Sequence, residues 1–152
     1  MKKLSFLLLS LFSVGVLFAQ KDKNPVSWSF TSKKISDKVY EVHITANISS
    51  GWHVYSQTQP KDAIALPTEF SFNKNPLIVL DGKVKEVGKM EKFVDKELDV
   101  SANQYSGKVT FVQKVKLTGS AKSNVGGTVE FQACTDEECL PAKKVSFNVS
   151  LN

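Results

Sequence analysis

The sequence predicts an all-β protein, a single-domain antiparallel β-sandwich of the immunoglobulin-like type. Three observations support this prediction. Apolar residues recur at every second position in several runs, turn-forming residues separate these runs, and no segment shows the periodicity of an amphipathic helix. Seven or eight short strands at this spacing are typical of such a sandwich.

The alternating runs follow one another along the chain. Residues 26–30 and 40–48 form the first two runs, and residues 109–117 form a third. Two more runs, 129–133 and 145–151, flank the only two cysteines. Turn residues are expected to separate strands at positions 49–51, 73–76, 81–82, 106–107 and 124–127. The cysteines are therefore predicted to lie in a connection between two half-buried strands.

Residues 88–99 depart from the alternating pattern, because charged side chains surround an isolated Phe93. We expect this segment to interrupt the strands. A flap is one further interpretation of it, since functional loops of sandwiches gather at the ends of the sheets. The residues alone leave two interpretations of Phe93. It is either a core side chain or an exposed contact.

The N-terminus has the features of a secretory signal peptide over residues 1–19. Lys2 and Lys3 form a short basic start, residues 4–18 are largely apolar, and Ala19 offers a small residue for cleavage. The apolar run is shorter than the roughly 20 residues of a membrane-spanning helix. We therefore expect an exported, soluble domain of residues 20–152, without stable membrane insertion after cleavage.

Composition excludes some classes of function. The chain has a formal net charge of +5, and all 20 of its basic side chains other than histidine are lysine. Without arginine the chain lacks the bidentate fork that favours phosphate and base recognition, so nucleic-acid binding is not expected.

No cofactor or metal site is expected from the sequence. His43 lies on the strand face opposite Val42 and Ile44, and His53 lies at a strand start, so the two histidines lack the paired spacing of zinc ligands. Nor does the sequence contain a nucleophile elbow.

Cys134 and Cys139, with four residues between them, are the candidate catalytic residues. A disulfide across so short a loop contributes only about 2 kcal/mol of chain-entropy stabilisation, so stabilisation of the fold is a weak explanation for it. The alternative explanation, in an oxidising compartment, is a dithiol that forms and breaks its disulfide reversibly. Between the cysteines, Asp136, Glu137 and Glu138 are expected to disfavour a thiolate, unless Lys143 and Lys144 offset their charge.

Three segments are informative when taken together. They are Gly51-Trp52-His53-Val54-Tyr55-Ser56, the charged segment around Phe93, and Phe131 to Pro141 with both cysteines. Together they resemble the periplasmic N-terminal domain of the disulfide-interchange protein DsbD, which implies a periplasmic location. The resemblance spans roughly residues 28–151 and implies an immunoglobulin-like fold that relays electrons. It is most specific in the cysteine segment, although four residues separate the cysteines here and five do in the best-known members.

The resemblance also implies residue roles. Cys139 matches the cysteine that forms a mixed disulfide with a partner, and Cys134 matches its intramolecular partner. Phe93 matches a cap-loop aromatic that shields the bridge, and Tyr55 matches an aromatic near the site. Whether Trp52, His53 and Tyr55 line the site or fill the core stays open.

The partners implied by the resemblance are thioredoxin-like periplasmic proteins or domains and a membrane electron-conducting reductase. Full-length family members carry the reductase and a thioredoxin-like domain on the same chain, so we expect this domain to meet them in trans. The competing hypothesis is a non-catalytic exported binding module whose disulfide is only structural, because this fold hosts many functions.

Overall fold

A computed structural model describes residues 24–61, 63–97 and 99–152 of the chain. Nine strands form the described part of the fold. They are β1 (Val26–Ser36), β2 (Val39–Ile48), β3 (His53–Tyr55), β4 (Glu69–Phe72), β5 (Ile78–Asp95), β6 (Val100–Leu117), β7 (Ser123–Phe131), β8 (Ala133–Cys134) and β9 (Lys143–Leu151).

The strands pair into two antiparallel sheets. In the larger sheet, β6 is the central strand, with β5 along one edge and with β2 and then β3 along the other. The larger sheet is completed by β1 beyond β2 and by β8 beyond β3. The smaller sheet has the order β4-β7-β9. The short strand β3 thus joins the cysteine-bearing β8 to the centre of the larger sheet.

The core lies between the two sheets and explains the alternation in the sequence. Val42, Ile44 and Phe111 of the larger sheet are fully buried, while the residues that alternate with them face outward. Aromatic rings join the layers: Phe70 of the smaller sheet packs at 4.9 Å from Phe111, measured between ring centroids. Burial of one face of each sheet therefore stabilises the sandwich.

The predicted all-β, single-domain, immunoglobulin-like sandwich is confirmed, but the strands are not all short. Strands β5 and β6 have 18 residues each and pair along nearly their whole length. The expectation that residues 88–99 interrupt the strands is wrong up to Asp95, where β5 ends. Strand β5 tolerates so many charges because it is an edge strand whose side chains are all exposed or only partly buried.

Some of the predicted turns are also wrong, because they lie inside strands. Gly82 and Gly107 have positive φ angles of 75° and 69° within β5 and β6. Around Gly82 the register shifts between Asp81 and Lys85, which marks a β-bulge rather than a chain reversal. Gly126 and Gly127 lie within β7, whereas the turns at residues 49–51 and 73–76 do separate strands.

The predicted signal peptide, residues 1–19, lies outside the described residues. No helix in the described part of the chain is long and apolar enough to cross a membrane.

Candidate functional site: a half-exposed disulfide beside an aromatic pocket

Cys134 and Cys139 form a disulfide that closes a tight turn after β8. The amide of Thr135 donates to the Glu138 carbonyl at 2.8 Å, and the amide of Leu140 donates to the Ala133 carbonyl at 2.9 Å. Inside the turn, the Thr135 hydroxyl accepts from the amides of Glu137 and Glu138 at 3.2 and 3.0 Å. These hydrogen bonds hold the turn through contacts other than the disulfide itself.

The two cysteines of the disulfide differ in exposure. Cys134 is 0% exposed, because it is the last residue of β8 and pairs with His53 of β3. Cys139 lies beyond the turn and is exposed. An incoming thiolate must reach a sulfur to attack it, so Cys139 is the accessible end of the bond.

Tyr55 lies at the end of β3 and points toward the exposed cysteine. Its hydroxyl oxygen is 3.9 Å from Cys139 Sγ, and because a disulfide sulfur carries no hydrogen, the tyrosine is the donor. Burial raises the pKa of Tyr55 above its ordinary value, so the hydroxyl keeps its proton at neutral pH. Tyr55 can therefore donate to a sulfur atom through the physiological range.

His53 lies two residues before Tyr55, on the same face of β3. It is 7% exposed, and its ring packs edge-on against Tyr55 with 5.3 Å between ring centroids. Burial lowers the pKa of His53, and the negative charges of Asp136 and Glu91 partly oppose that shift. The imidazole is therefore neutral at pH 7. Of the two alternatives left open by the sequence, lining the site or filling the core, His53 lines the pocket beside Cys139, whereas Trp52 packs against the core.

Phe93 lies near the tip of the β5–β6 hairpin, opposite Ala102. It is 42% exposed, so the structure favours the exposed-contact interpretation over a core side chain. Phe93, Tyr55 and Cys139 line one pocket of about 350 Å³, which also includes Ile64 from the loop after β3. The structure therefore brings the four predicted site residues together. Phe93, Tyr55 and Cys139 line the pocket, and Cys134 is buried but bonded to Cys139.

Carboxylates surround the mouth of this pocket. Asp136, Glu137, Glu138 and Asp95 line it, and the first three are exposed. Lys144, a candidate to offset these charges, pairs instead with Glu130 of β7 at 3.1 Å. Lysine is absent from the described residues that line the pocket.

Sequence reasoning missed the contacts that hold the hairpin against the loop after β3. The Glu86 carboxylate on β5 accepts from the Ser56 hydroxyl at 2.8 Å, the Gln57 amide at 2.7 Å and the Tyr105 hydroxyl at 2.7 Å. Burial and the hydrogen bond to Glu86 raise the pKa of Tyr105. No local motif predicts these hydrogen bonds, because the residues that form them are far apart in sequence.

A second missed contact joins the same loop to β6. The side-chain amide of Gln59 donates to the Asn103 carbonyl at 2.7 Å and accepts from the Asn103 amide at 3.0 Å. These contacts and those of Glu86 fix the loop that carries Ile64 relative to the hairpin that carries Phe93.

The histidines do not form a metal site with the cysteines. His43 lies on β2 and contacts Glu41 at 3.3 Å, whereas His53 lies beside the disulfide on β3. Among the residues that the structure describes, no group of three or more histidine, cysteine, aspartate and glutamate residues is arranged to hold a metal ion.

Comparison with protein families gives one match over almost the whole described chain. Residues 23–151 match the family described as "Thiol:disulfide interchange protein DsbD, N-terminal". A search of curated protein sequences finds no match.

Solved structures of low sequence identity share the fold. The reduced DsbD N-terminal domain of Neisseria meningitidis aligns with a TM-score of 0.55 at 13% identity, covering 84% of this chain and 86% of that chain. The N-terminal periplasmic domain of ScsB from Proteus mirabilis aligns with a TM-score of 0.53 at 13% identity, over 81% of this chain and 44% of that one.

A third solved structure contains a complex. It holds the DsbD N-terminal and PilB N-terminal domains of Neisseria meningitidis, and aligns with a TM-score of 0.51 at 11% identity, over 86% of this chain and 87% of that chain.

Proposed function

Because the chain belongs to the family of DsbD N-terminal domains, we propose that it relays electrons between proteins through reversible opening of the Cys134–Cys139 disulfide. The observation that carries this proposal is the unequal exposure of the two cysteines beside an open pocket. A bond with one buried and one accessible sulfur directs an incoming thiolate to a single atom. A purely structural bridge needs no such access.

The exchange is a two-electron reduction in two steps. A thiolate of the donor attacks Cys139 Sγ, the disulfide breaks, and its electron pair goes to Cys134 Sγ. A second thiolate of the donor then attacks the mixed disulfide and releases the Cys139 sulfur. Two protons complete the dithiol, and the donor leaves as a disulfide. The dithiol reduces a downstream disulfide by the same steps in reverse order.

The pocket residues have separate roles in this proposal. Tyr55 donates a hydrogen bond to Cys139 and so stabilises a thiolate there, because a charged acceptor strengthens the bond. Phe93 partly shields Cys139 from the side of the pocket, so that small reductants reach its sulfur more slowly than they would without the ring. The surrounding carboxylates disfavour the free thiolates, so exchange is fast only when a partner brings its own activated cysteine.

The partners proposed are thioredoxin-like proteins or domains of the periplasm, together with a membrane electron-conducting reductase in trans. Two observations support a protein partner at this site. The exposed apolar side chains of Phe93 and Ile64 line the pocket next to Cys139, and a solved structure of similar fold is a complex with another domain. The periplasmic location rests on the expected signal peptide and on the periplasmic relative.

Trapping of mixed disulfides tests the function. The exported Cys134→Ala variant cannot resolve a mixed disulfide formed at Cys139, so covalent adducts with thioredoxin-like proteins are expected to accumulate. The matched control is Cys139→Ala, which retains one thiol but leaves it on the buried residue. We expect far fewer adducts from this control on non-reducing gels followed by mass spectrometry.

A redox titration separates electron relay from the competing binding module. A relay disulfide equilibrates with glutathione or thioredoxin mixtures, whereas structural disulfides of secreted proteins have potentials below about −300 mV. If the wild-type bond resists reduction down to that range and neither cysteine variant yields adducts, the disulfide is structural and the relay proposal is wrong.

A further inference from the structure

We propose that His53 carries the proton for the buried Cys134 during exchange. This inference rests on the proposed function and adds a residue to its chemistry. When the disulfide opens, the sulfur of Cys134 must gain a proton, and when it closes, that proton must leave.

The β-sheet register places His53 directly beside Cys134. The two residues are partners in the antiparallel pairing of β3 with β8, and the next pair is Val54 with Ala133. Val54 and Ala133 face the core, so His53 and Cys134 share the other face. Side chains of such partners typically have Cβ atoms about 5 Å apart, within reach of proton transfer directly or through one water molecule.

A thiolate at Cys134 is costly without a nearby proton source. The residue is fully buried, and burial in a medium of low dielectric disfavours a charged sulfur. No lysine lines either of the two neighbouring pockets that His53 borders, as far as the described residues show. Of the groups in these pockets, the imidazole is the one whose ordinary pKa lies near neutrality.

The charged and titratable groups around His53 come from several elements. Tyr55 of β3 packs on its ring. Glu91 of β5 and Asp136 of the turn act on it electrostatically and favour an imidazolium, although burial outweighs them and its pKa is lowered. A neutral imidazole that two carboxylates help to accept a proton is suited to act as a base at pH 7.

The proton and electron steps balance as follows. In the reduced protein, Cys139 forms a mixed disulfide with an oxidised partner, whose second sulfur leaves as a thiolate. Neutral His53 takes the proton of the Cys134 thiol, and the thiolate attacks Cys139 Sγ. The Cys134–Cys139 bond forms, and the partner's other sulfur leaves with its electron pair. The imidazolium then releases this proton to solvent. In the reducing direction, His53 takes a proton from solvent and passes it to the Cys134 thiolate.

Stopped-flow reaction of the reduced protein with 5,5′-dithiobis(2-nitrobenzoate) tests the step without any protein partner. The exposed Cys139 is expected to react first and to release one thionitrobenzoate. Cys134 then attacks the mixed disulfide and releases the second. In wild type, the rate of this second phase should rise with pH through an inflection below about 6.5, where His53 loses its proton.

His53→Gln should slow the second phase about tenfold or more at pH 7 and move the inflection toward about 8.5, the ordinary pKa of a thiol. His53→Phe keeps a ring against Tyr55 and should give the same result, which separates proton transfer from packing. The first phase should change little in either variant. His43→Gln is the matched control, because it removes the other histidine of the chain from a site on β2.

Equal second-phase rates and pH profiles in wild type, His53→Gln and His53→Phe would overturn the inference. That result leaves the relay proposal standing if Cys134→Ala still traps partners. If no partner is trapped but both His53 variants slow the second phase, the relay proposal fails while the proton-carrying role of His53 holds.

Discussion

The chemistry proposed here depends on the difference between two cysteines that are close in sequence. Cys134 ends a strand and is buried, whereas Cys139 follows a four-residue turn and is exposed. The amino-acid types alone do not distinguish them. Position relative to the end of β8 therefore decides which sulfur a partner reaches and which one needs an internal proton carrier.

Phe93→Ala should expose the disulfide without unfolding the protein. Because Phe93 is 42% exposed and lines the pocket with Cys139, its removal opens a path to the sulfur while few core contacts are lost. We expect dithiothreitol to reduce the variant severalfold faster than wild type. The measurement is the rate of disulfide opening, which thiol labelling monitors.

Val94→Ala is the matched control for Phe93→Ala. Val94 is the next residue of β5, is 57% exposed and does not line the pocket. The disulfide of Val94→Ala should therefore be reduced at the wild-type rate. Stability provides a second check: Phe111→Ala removes a fully buried ring and should cost about 3 to 5 kcal/mol, whereas Phe93→Ala should cost much less. An unchanged reduction rate in Phe93→Ala would remove its shielding role.

At the scale of elements, the long β5–β6 hairpin and the short β3 build the pocket together. The hairpin carries Phe93 past the point where β3 ends, and β3 carries Tyr55 next to β8. Glu86 and Asn103 hold the loop after β3 to the hairpin. The distance between Phe93 and Cys139 is therefore set by sheet pairing and these hydrogen bonds, not by the local sequence of the cysteine turn.

Gly127→Ala should disrupt the smaller sheet. A Cβ at Gly127 would meet the Ser71 carbonyl oxygen and the Phe147 ring, which lie on the two neighbouring strands. Such overpacking typically costs about 1 to 3 kcal/mol, and backbone atoms on one side limit relaxation. We expect the free energy of unfolding in urea to fall by that amount.

Gly119→Ala is the control for the substitution in β7. Gly119 has no atom within 4 Å of an added Cβ and is exposed, so its replacement should change stability by less than about 0.5 kcal/mol. Equal stability of the two alanine variants would show that the smaller sheet accommodates a side chain at position 127.

For the whole molecule, the disulfide is separate from what holds the sandwich together. The main core cluster joins the larger and smaller sheets and includes Phe131 and Ala133, the residues just before the cysteine turn. The turn itself is also held by hydrogen bonds from Thr135, Glu138 and Leu140. A domain built in this way is expected to keep its fold when the bond is reduced.

Reduction of the disulfide should therefore lower the free energy of unfolding by only about 2 kcal/mol, as expected from the entropy of closing so short a loop. The measurement is urea unfolding of the oxidised and reduced protein, followed by tryptophan fluorescence. The Cys134→Ala, Cys139→Ala double variant should match the reduced form. Complete loss of folded protein on reduction would contradict the separation of core and redox site.

Some features were predictable because they follow from local pattern. Alternation in residues 40–48 and 145–151 predicted strands, since one face of each must be buried. The pairing of the two cysteines and the position of His43 on the outer side of β2 were also predictable. The long hairpin was not predictable from local pattern. The charge-rich segment 88–95 resembles a loop unless its pairing with β6 is known.

The sequence by itself determined the sandwich and the presence of a short disulfide loop, because strand periodicity and cysteine spacing are local properties of the chain. Only the tertiary structure decided that Phe93, Tyr55 and Cys139 share a pocket and that His53 lies beside Cys134. The physical reason is that β-sheet pairing joins strands far apart in sequence, and its register is set by packing across the whole sheet.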